Sequence, residues 1–287
     1  MPPAKMRARA RWIRLAQLLP STLFLVAFFL APLAVFLLYS FWTKRGFEFI
    51  ADWTTENYAS TLGDEVYRSL LQNTVEIGLQ ASALAVAIAY TFAHVIRFHL
   101  QRWQAALLFL VLIAAFSGYL VRVYSWRTIL GNNGIINETL QRLGVIDEPL
   151  SFLLYSRTAT IIVLGNFLVP FALVPIYAAL QNVQNEEVEV ARDLGCGPVR
   201  ALFKVTLPLA WPGIFAAFAL CFIVAAGDYV TPQLVGGTSG TMIGRAISDS
   251  FGVTFEWPTG AALSFITLAT ALVIIALVRA LGAVLIR

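Results

Sequence analysis

Charge is the scarcest resource in this 287-residue sequence. Only 13% of residues are Asp, Glu, Lys or Arg, about half the share of an ordinary soluble domain. Hydrophobic residues reach 59% and the mean hydropathy is +0.77. A water-covered globule, a disordered chain and a collagen-like repeat are all excluded, and an integral membrane protein is left. Cysteine is nearly absent: Cys196 and Cys221, 25 residues apart, have no metal or redox spacing and read as unpaired thiols. The two histidines, His94 and His99, have no acid between them, so no His-Glu-x-x-His zinc motif exists and both read as interfacial side chains. No Gly-x-Ser-x-Gly elbow occurs, and no catalytic cluster lies in the apolar runs. Lysine occurs only at Lys5, Lys44 and Lys204, none of them after glycine, so the chain has no P-loop to cradle a nucleotide phosphate. No catalytic residue and no metal ligand is expected.

What is present is length without charge. Uncharged windows of 29, 20, 19, 28, 23 and 22 residues separate Arg14 from Lys44, Glu76 from Arg97, Arg102 from Arg122, Arg157 from Glu186, Lys204 from Asp228 and Glu256 from Arg279. About 20 apolar residues cross a bilayer as a helix. The windows predict an all-α polytopic membrane protein with six spans near 15–42, 70–96, 103–121, 158–181, 208–227 and 257–278 in one domain, 15–287. Residues 1–14 form a basic leader (Lys5, Arg7, Arg9, Arg11, Arg14), and the first window is too long for the core of a cleaved signal. Basic residues in that leader, at Arg97 and Arg102, and at Arg279 and Arg287 place both termini in the cytoplasm, whereas the acid-rich stretch from Lys44 to Arg68 belongs outside. The net charge of +4 arises in the leader, so no nucleic-acid surface is implied. The uncharged stretch 229–244, rich in glycine with Pro232, is too broken to span and reads as an external loop or one that dips back.

One cytoplasmic segment, 185–208, is charged throughout. Asn185 is the expected N-cap, Glu186, Glu187 and Glu189 sit where acids complement the helix dipole, and Gly195 is placed to end the helix. Gly197-Pro198 opens a second helix whose Val199, Leu202 and Phe203 make an apolar stripe. A helix–turn–helix projecting into the cytosol follows. Its Glu189, Ala191, Gly195, Leu207 and Pro208 stand at the spacing of the EAA loop, and the segment resembles that loop in permease subunits of binding-protein-dependent ABC importers. Val190 and Val205 depart from the pattern, which has Ala and Ile there. Two further stretches, Leu120 to Asn137 and Gly227 to Gly237, are similar to the spermidine/putrescine permease group.

The resemblance implies a bacterial inner-membrane permease that works with ABC ATPase subunits, a second permease that is a different chain, and a periplasmic or extracellular solute-binding protein. It implies that ATP is hydrolysed by the partner ATPase and that this chain binds no cofactor. The implied cargo is a polyamine; an opine, thiamine or an aminophosphonate is the alternative, and an ATP-independent secondary transporter is the rival outside the family. Asp228, Tyr229, Glu76, Tyr119 and Trp126 are the candidates for the solute path, because intramembrane acids are costly and carboxylates with aromatic faces suit ammonium groups. The residues leave other roles open: a helix-end cap for Asp228, and an interfacial ion pair with Arg122 for Glu76.

Overall fold

The computed structural model describes residues 17, 19–46 and 48–285. The basic leader from Lys5 to Arg14 and the terminal Arg287 lie outside the described residues. Among the described residues five helices are long and apolar enough to cross a membrane: α1 (Leu19–Tyr39), α3 (Glu65–Phe98), α7 (Arg157–Gln181), α9 (Pro198–Ala226) and α11 (Trp257–Leu285). Between them come the short hairpin β1 (Thr43–Arg45) and β2 (Glu48–Ile50), then α2 (Glu56–Gly63), α4 (Gln104–Phe116), α5 (Tyr119–Leu130), α6 (Ile135–Arg142), α8 (Asn185–Asp193) and α10 (Ile243–Gly252).

The expected third span, 103–121, is not one straight helix. α4 stops at Phe116, Ser117 and Gly118 take extended backbone angles, and the chain resumes bent by 88°. The charge-free window records the absence of charge, which does not require helical continuity. Two successive extended residues interrupt the hydrogen-bond ladder. Arg122 then reaches back from α5 to cap it, donating from Nη2 to the Ala114 carbonyl and to Ser117 Oγ, 2.6 Å away. A cation at the carbonyl end of a helix complements its dipole. Counting the bent pair as one, the spans number six.

The tight core is α3, α7 and α9. Ala81, Ala85, Ala89 and Ala93 recur every fourth residue along α3 and are fully buried, so the stripe lets neighbouring backbones approach closely. Gly165 on α7 answers it; a Cβ there would come within 2.8 Å of Leu84. Gly213 on α9 lies against Ala179 and the Pro175 carbonyl. Pro170 and Pro175 are within this packed layer, where α7 is half buried and neighbouring helices can satisfy the freed backbone groups. The periphery is looser. Among the described residues α1 has no buried side chain and touches the rest through aromatic contacts at its outer end, Phe36 with Phe251 and Tyr39 with Trp257. Beside them Lys44 donates to Glu256 at 2.8 Å and to the Thr254 carbonyl at 3.1 Å, tying the hairpin to the start of α11.

Candidate functional site

One end of the bundle, the one expected from the basic residues to be the inner end, carries the charged loop. α8 begins one residue earlier in its capping than expected: Gln184, not Asn185, is the N-cap, and its backbone N–H donates to Glu187 Oε2 at 3.1 Å. Glu187 is three residues on, as a capping box requires. The far end is a Schellman turn. Gly195 has φ +85°, its N–H bonds to the Arg192 carbonyl at 2.9 Å, and the Cys196 N–H bonds to the Ala191 carbonyl at 3.0 Å. Pro198 occupies the first position of α9 after Gly197. Within α9 a wide turn over Leu202–Thr206 precedes Pro208, and Leu207 packs against the core.

The corner thus has two faces. Ala191 is buried against the body. Val190, Leu194, Val199 and Phe203 are 57%, 81%, 65% and 60% exposed, in a segment otherwise dominated by charge. Glu189 lies on the helix face turned toward α3, where it lines a polar cavity of about 240 Å³ with His94, His99 and Arg192.

At the outer side, the solute-path candidates separate into distinct places. Tyr119 and Asp228 are brought together: the phenol donates to Asp228 Oδ2 at 2.6 Å and sits 2.7 Å from Thr231 Oγ1. Asp228 Oδ1 also accepts from the Val230 N–H at 3.0 Å, so its carboxylate caps the segment that follows. That segment, 228–243, is not a surface loop. Thr231, Val235, Met242 and Ile243 are buried. The Ile243 N–H donates to Thr74 Oγ1 at 2.8 Å, and Asn73 donates to the Thr241 carbonyl at 3.3 Å. A Cβ at Gly240 would meet Thr160 Oγ1 at 2.6 Å. The stretch dips back and is wedged between α3 and α7.

Glu76 pairs with Arg157 at the start of α7, not with Arg122. Arg122 is engaged at the α4–α5 bend and stacks over Phe167, 5.6 Å from the ring centre. Trp126 stands apart from Tyr119 and Asp228 on the wall of a cavity of about 510 Å³ bounded by α3, α4, α5 and α7. Its indole N–H donates to Asn166 Oδ1 at 3.1 Å. Asn166, an amide in the middle of an apolar span, lines the same cavity and is not among the residues expected in the solute path. Tyr229 faces a different cavity, about 690 Å³, between α9, α10 and α11.

Known proteins share this architecture. The family described as the inner membrane component of binding-protein-dependent transport systems matches residues 6–287. The spermidine/putrescine transport system permease protein PotB of Haemophilus influenzae is 33% identical over 258 residues, covering 89% of this chain and 90% of that one. PotB of Escherichia coli K12 is 31% identical over 241 residues, 84% of this chain and 87% of that one. Among solved structures, a bacterial ABC transporter involved in the import of the acidic polysaccharide alginate superposes with a TM-score of 0.71 over 97% of each chain at 16% identity, which establishes the shared fold. With the family matched from residue 6 to the last residue, this chain belongs to the inner-membrane components of binding-protein-dependent transport systems.

Proposed function

We propose that this chain is a permease subunit of an ATP-driven ABC importer and that its cargo is a polyamine. The observation that carries the coupling role is the cytoplasmic corner: four exposed apolar side chains on a rigidly capped helix–turn–helix. Exposed apolar groups gathered among charges mark a surface made to be covered. A cleft on an ABC ATPase subunit is the proposed cover, and the ATPase supplies the hydrolysis for which this sequence has no P-loop. Glu189, Ala191, Gly195, Leu207 and Pro208 form the coupling loop in this reading. A second permease and a solute-binding protein complete the assembly, with both termini of this chain in the cytoplasm.

The polyamine reading draws on likeness to PotB along most of the chain and on the chemistry of the outer half. Trp126 and Asn166 offer an aromatic face and an amide carbonyl on one cavity wall, and ammonium groups bind both. The Arg122 charge is committed to the carbonyl end of α4, which moderates its repulsion of a cation.

The test is co-expression with the candidate ATPase and partner permease, followed by purification in mild detergent. A complex from the native chain that is lost with Glu189→Lys supports the coupling role. ATPase activity stimulated by spermidine with its binding protein, and weakened by Trp126→Ala, supports the cargo. No complex with any ATPase returns the chain to an ATP-independent mechanism. Stimulation by an opine, thiamine or an aminophosphonate instead replaces the polyamine.

A further inference from the structure

Among the described residues just three acids are less than fully exposed: Asp228, Asp249 and Glu256. Asp249 pairs with Arg245, and Glu256 with Lys44. Asp228 has no cationic partner among the described residues. Its carboxylate is held by neutral donors: the Tyr119 phenol at 2.6 Å, the Val230 N–H at 3.0 Å and the Thr231 N–H at 3.4 Å. The two arginines on the same helix as Tyr119 are engaged elsewhere. Arg122 donates to the end of α4 and lies over Phe167, and Arg127 donates to the Tyr155 hydroxyl at 2.9 Å. A partly buried carboxylate just beyond the end of a spanning helix is costly without a counter-charge. A second acceptor stands nearby. Trp126, seven residues after Tyr119 and so on the same face of α5, donates its indole N–H to Asn166 Oδ1 at 3.1 Å. Tyr119 packs on Phe167, the residue after Asn166, with ring centres 4.6 Å apart. Both points therefore lie along one stretch of α7, with their donors about 10 Å apart along α5.

We infer that Asp228 and Asn166 are a two-point site for a solute with two ammonium groups, and that Tyr119 and Trp126 hold these acceptors until the solute takes them over. An ammonium group offers donors and no acceptor, as the phenol and the indole do at these two points, and it brings the charge that Asp228 lacks. The exchange leaves every group satisfied. The ammonium replaces the phenol at Asp228 Oδ2, while Oδ1 keeps the Val230 N–H and so the cap of the following segment. The phenol turns its hydrogen to Thr231 Oγ1, already 2.7 Å away. The released rings offer their faces to the same ammonium groups. Asn166 is neutral, so Asp228 is the stronger of the two points. A solute with a single ammonium group reaches one point and leaves the other closed. The inference rests on the polyamine reading above and adds to it the residues that read the charge.

The test is direct binding of radiolabelled spermidine to the complete importer in nanodiscs, by equilibrium dialysis without the solute-binding protein. Two variants are expected to move the dissociation constant in opposite directions. Asp228→Asn keeps an oxygen for the cap but removes the charge, and is expected to weaken binding about thirtyfold. Tyr119→Phe keeps the ring but removes the competing donor, and is expected to tighten binding about fivefold. A contact that only holds the fold together would weaken binding in both variants. Weaker binding in Tyr119→Phe, or an Asp228→Asn constant equal to the native one, overturns the site, while spermidine uptake by the native importer keeps the cargo reading. A native importer that neither binds nor moves spermidine ends both. Loss of the partner permease from the purified Asp228→Asn complex assigns the counter-charge to that partner and also overturns the site.

Discussion

Two interrupted segments, one running into the start of α9 and one following its end, are opposites. The inner one, 184–206, is charged, and it exposes Val190, Leu194, Val199 and Phe203. The outer one, 228–243, carries a single charge, at Asp228, and buries Thr231, Val235, Met242 and Ile243. Both contain proline and glycine. The inner segment satisfies its backbone within itself, through a capping box and a Schellman turn. The outer one sends its polar groups to other elements: Asp228 to Tyr119, the Ile243 N–H to Thr74, and the Val235 carbonyl to the Ser156 N–H. Self-contained capping lets a helical corner stand away from the bundle and offer apolar side chains to something else. Borrowed hydrogen bonds make the outer segment part of the α3–α7 body. Changes in the outer segment should therefore damage stability, and changes in the inner one should damage function with stability kept.

The largest effect is expected at Gly240. Gly240→Val places side-chain atoms against the Gly236 backbone and Thr160 Oγ1. The overpacking should cost about 3 kcal/mol, and thermal unfolding in detergent would show it as a lower melting temperature with reduced yield. A fully stable Gly240→Val would mean that the outer segment moves freely. Next comes the inner corner. Leu194→Glu with Phe203→Glu should leave the melting temperature unchanged, because both side chains are exposed. The same pair should abolish uptake and ATPase co-purification. A stability loss equal to that of Gly240→Val would erase the contrast between the two segments.

A smaller, divided effect is expected at Thr74. Thr74→Val keeps the shape but leaves the buried Ile243 N–H without its acceptor, a loss of about 1–3 kcal/mol in unfolding free energy. Gly195→Ala tests the inner segment in the same currency. No neighbour obstructs the added methyl, but φ is +85°, so the cost is about 1–2 kcal/mol, all of it backbone strain. Its uptake defect should exceed what that loss explains, as measured by transport at equal inserted amounts. The smallest effect is expected at Val190→Ala. Val190 departs from the EAA pattern, yet it is exposed and loosens no packing, so stability should change by less than about 0.5 kcal/mol. A large change would place Val190 in an intramolecular contact.

Several of these features were legible in the residues. Gly195 ends α8 in the left-handed conformation, Pro198 opens the next helix, and the apolar stripe from Val199 to Phe203 is exposed, because caps and stripes are local properties of a few neighbouring residues. The outer side was read less fully. Tyr119, 109 residues away in sequence, donates to Asp228, a pairing that no local pattern announces. Glu76 had Arg122 as its expected partner, since both looked interfacial, but the register of α3 against α7 brings Arg157 to it instead. The break after Phe116 is not legible in the charge pattern, because Ser117 and Gly118 are uncharged and an uncharged window does not report backbone geometry.

The sequence by itself determined that this is a membrane protein of six apolar stretches with a charged helical corner between the fourth and the fifth. Hydropathy and helix capping act over spans of 4–20 residues, and the chain alone contains those spans. The tertiary structure decided which polar groups meet: Tyr119 with Asp228, Arg157 with Glu76, and Trp126 with Asn166. In a bilayer the partner of an intramembrane polar group is set by how closely the helices approach and at what rotation. Here the alanine stripe of α3 and the glycines at 165 and 213 set those distances.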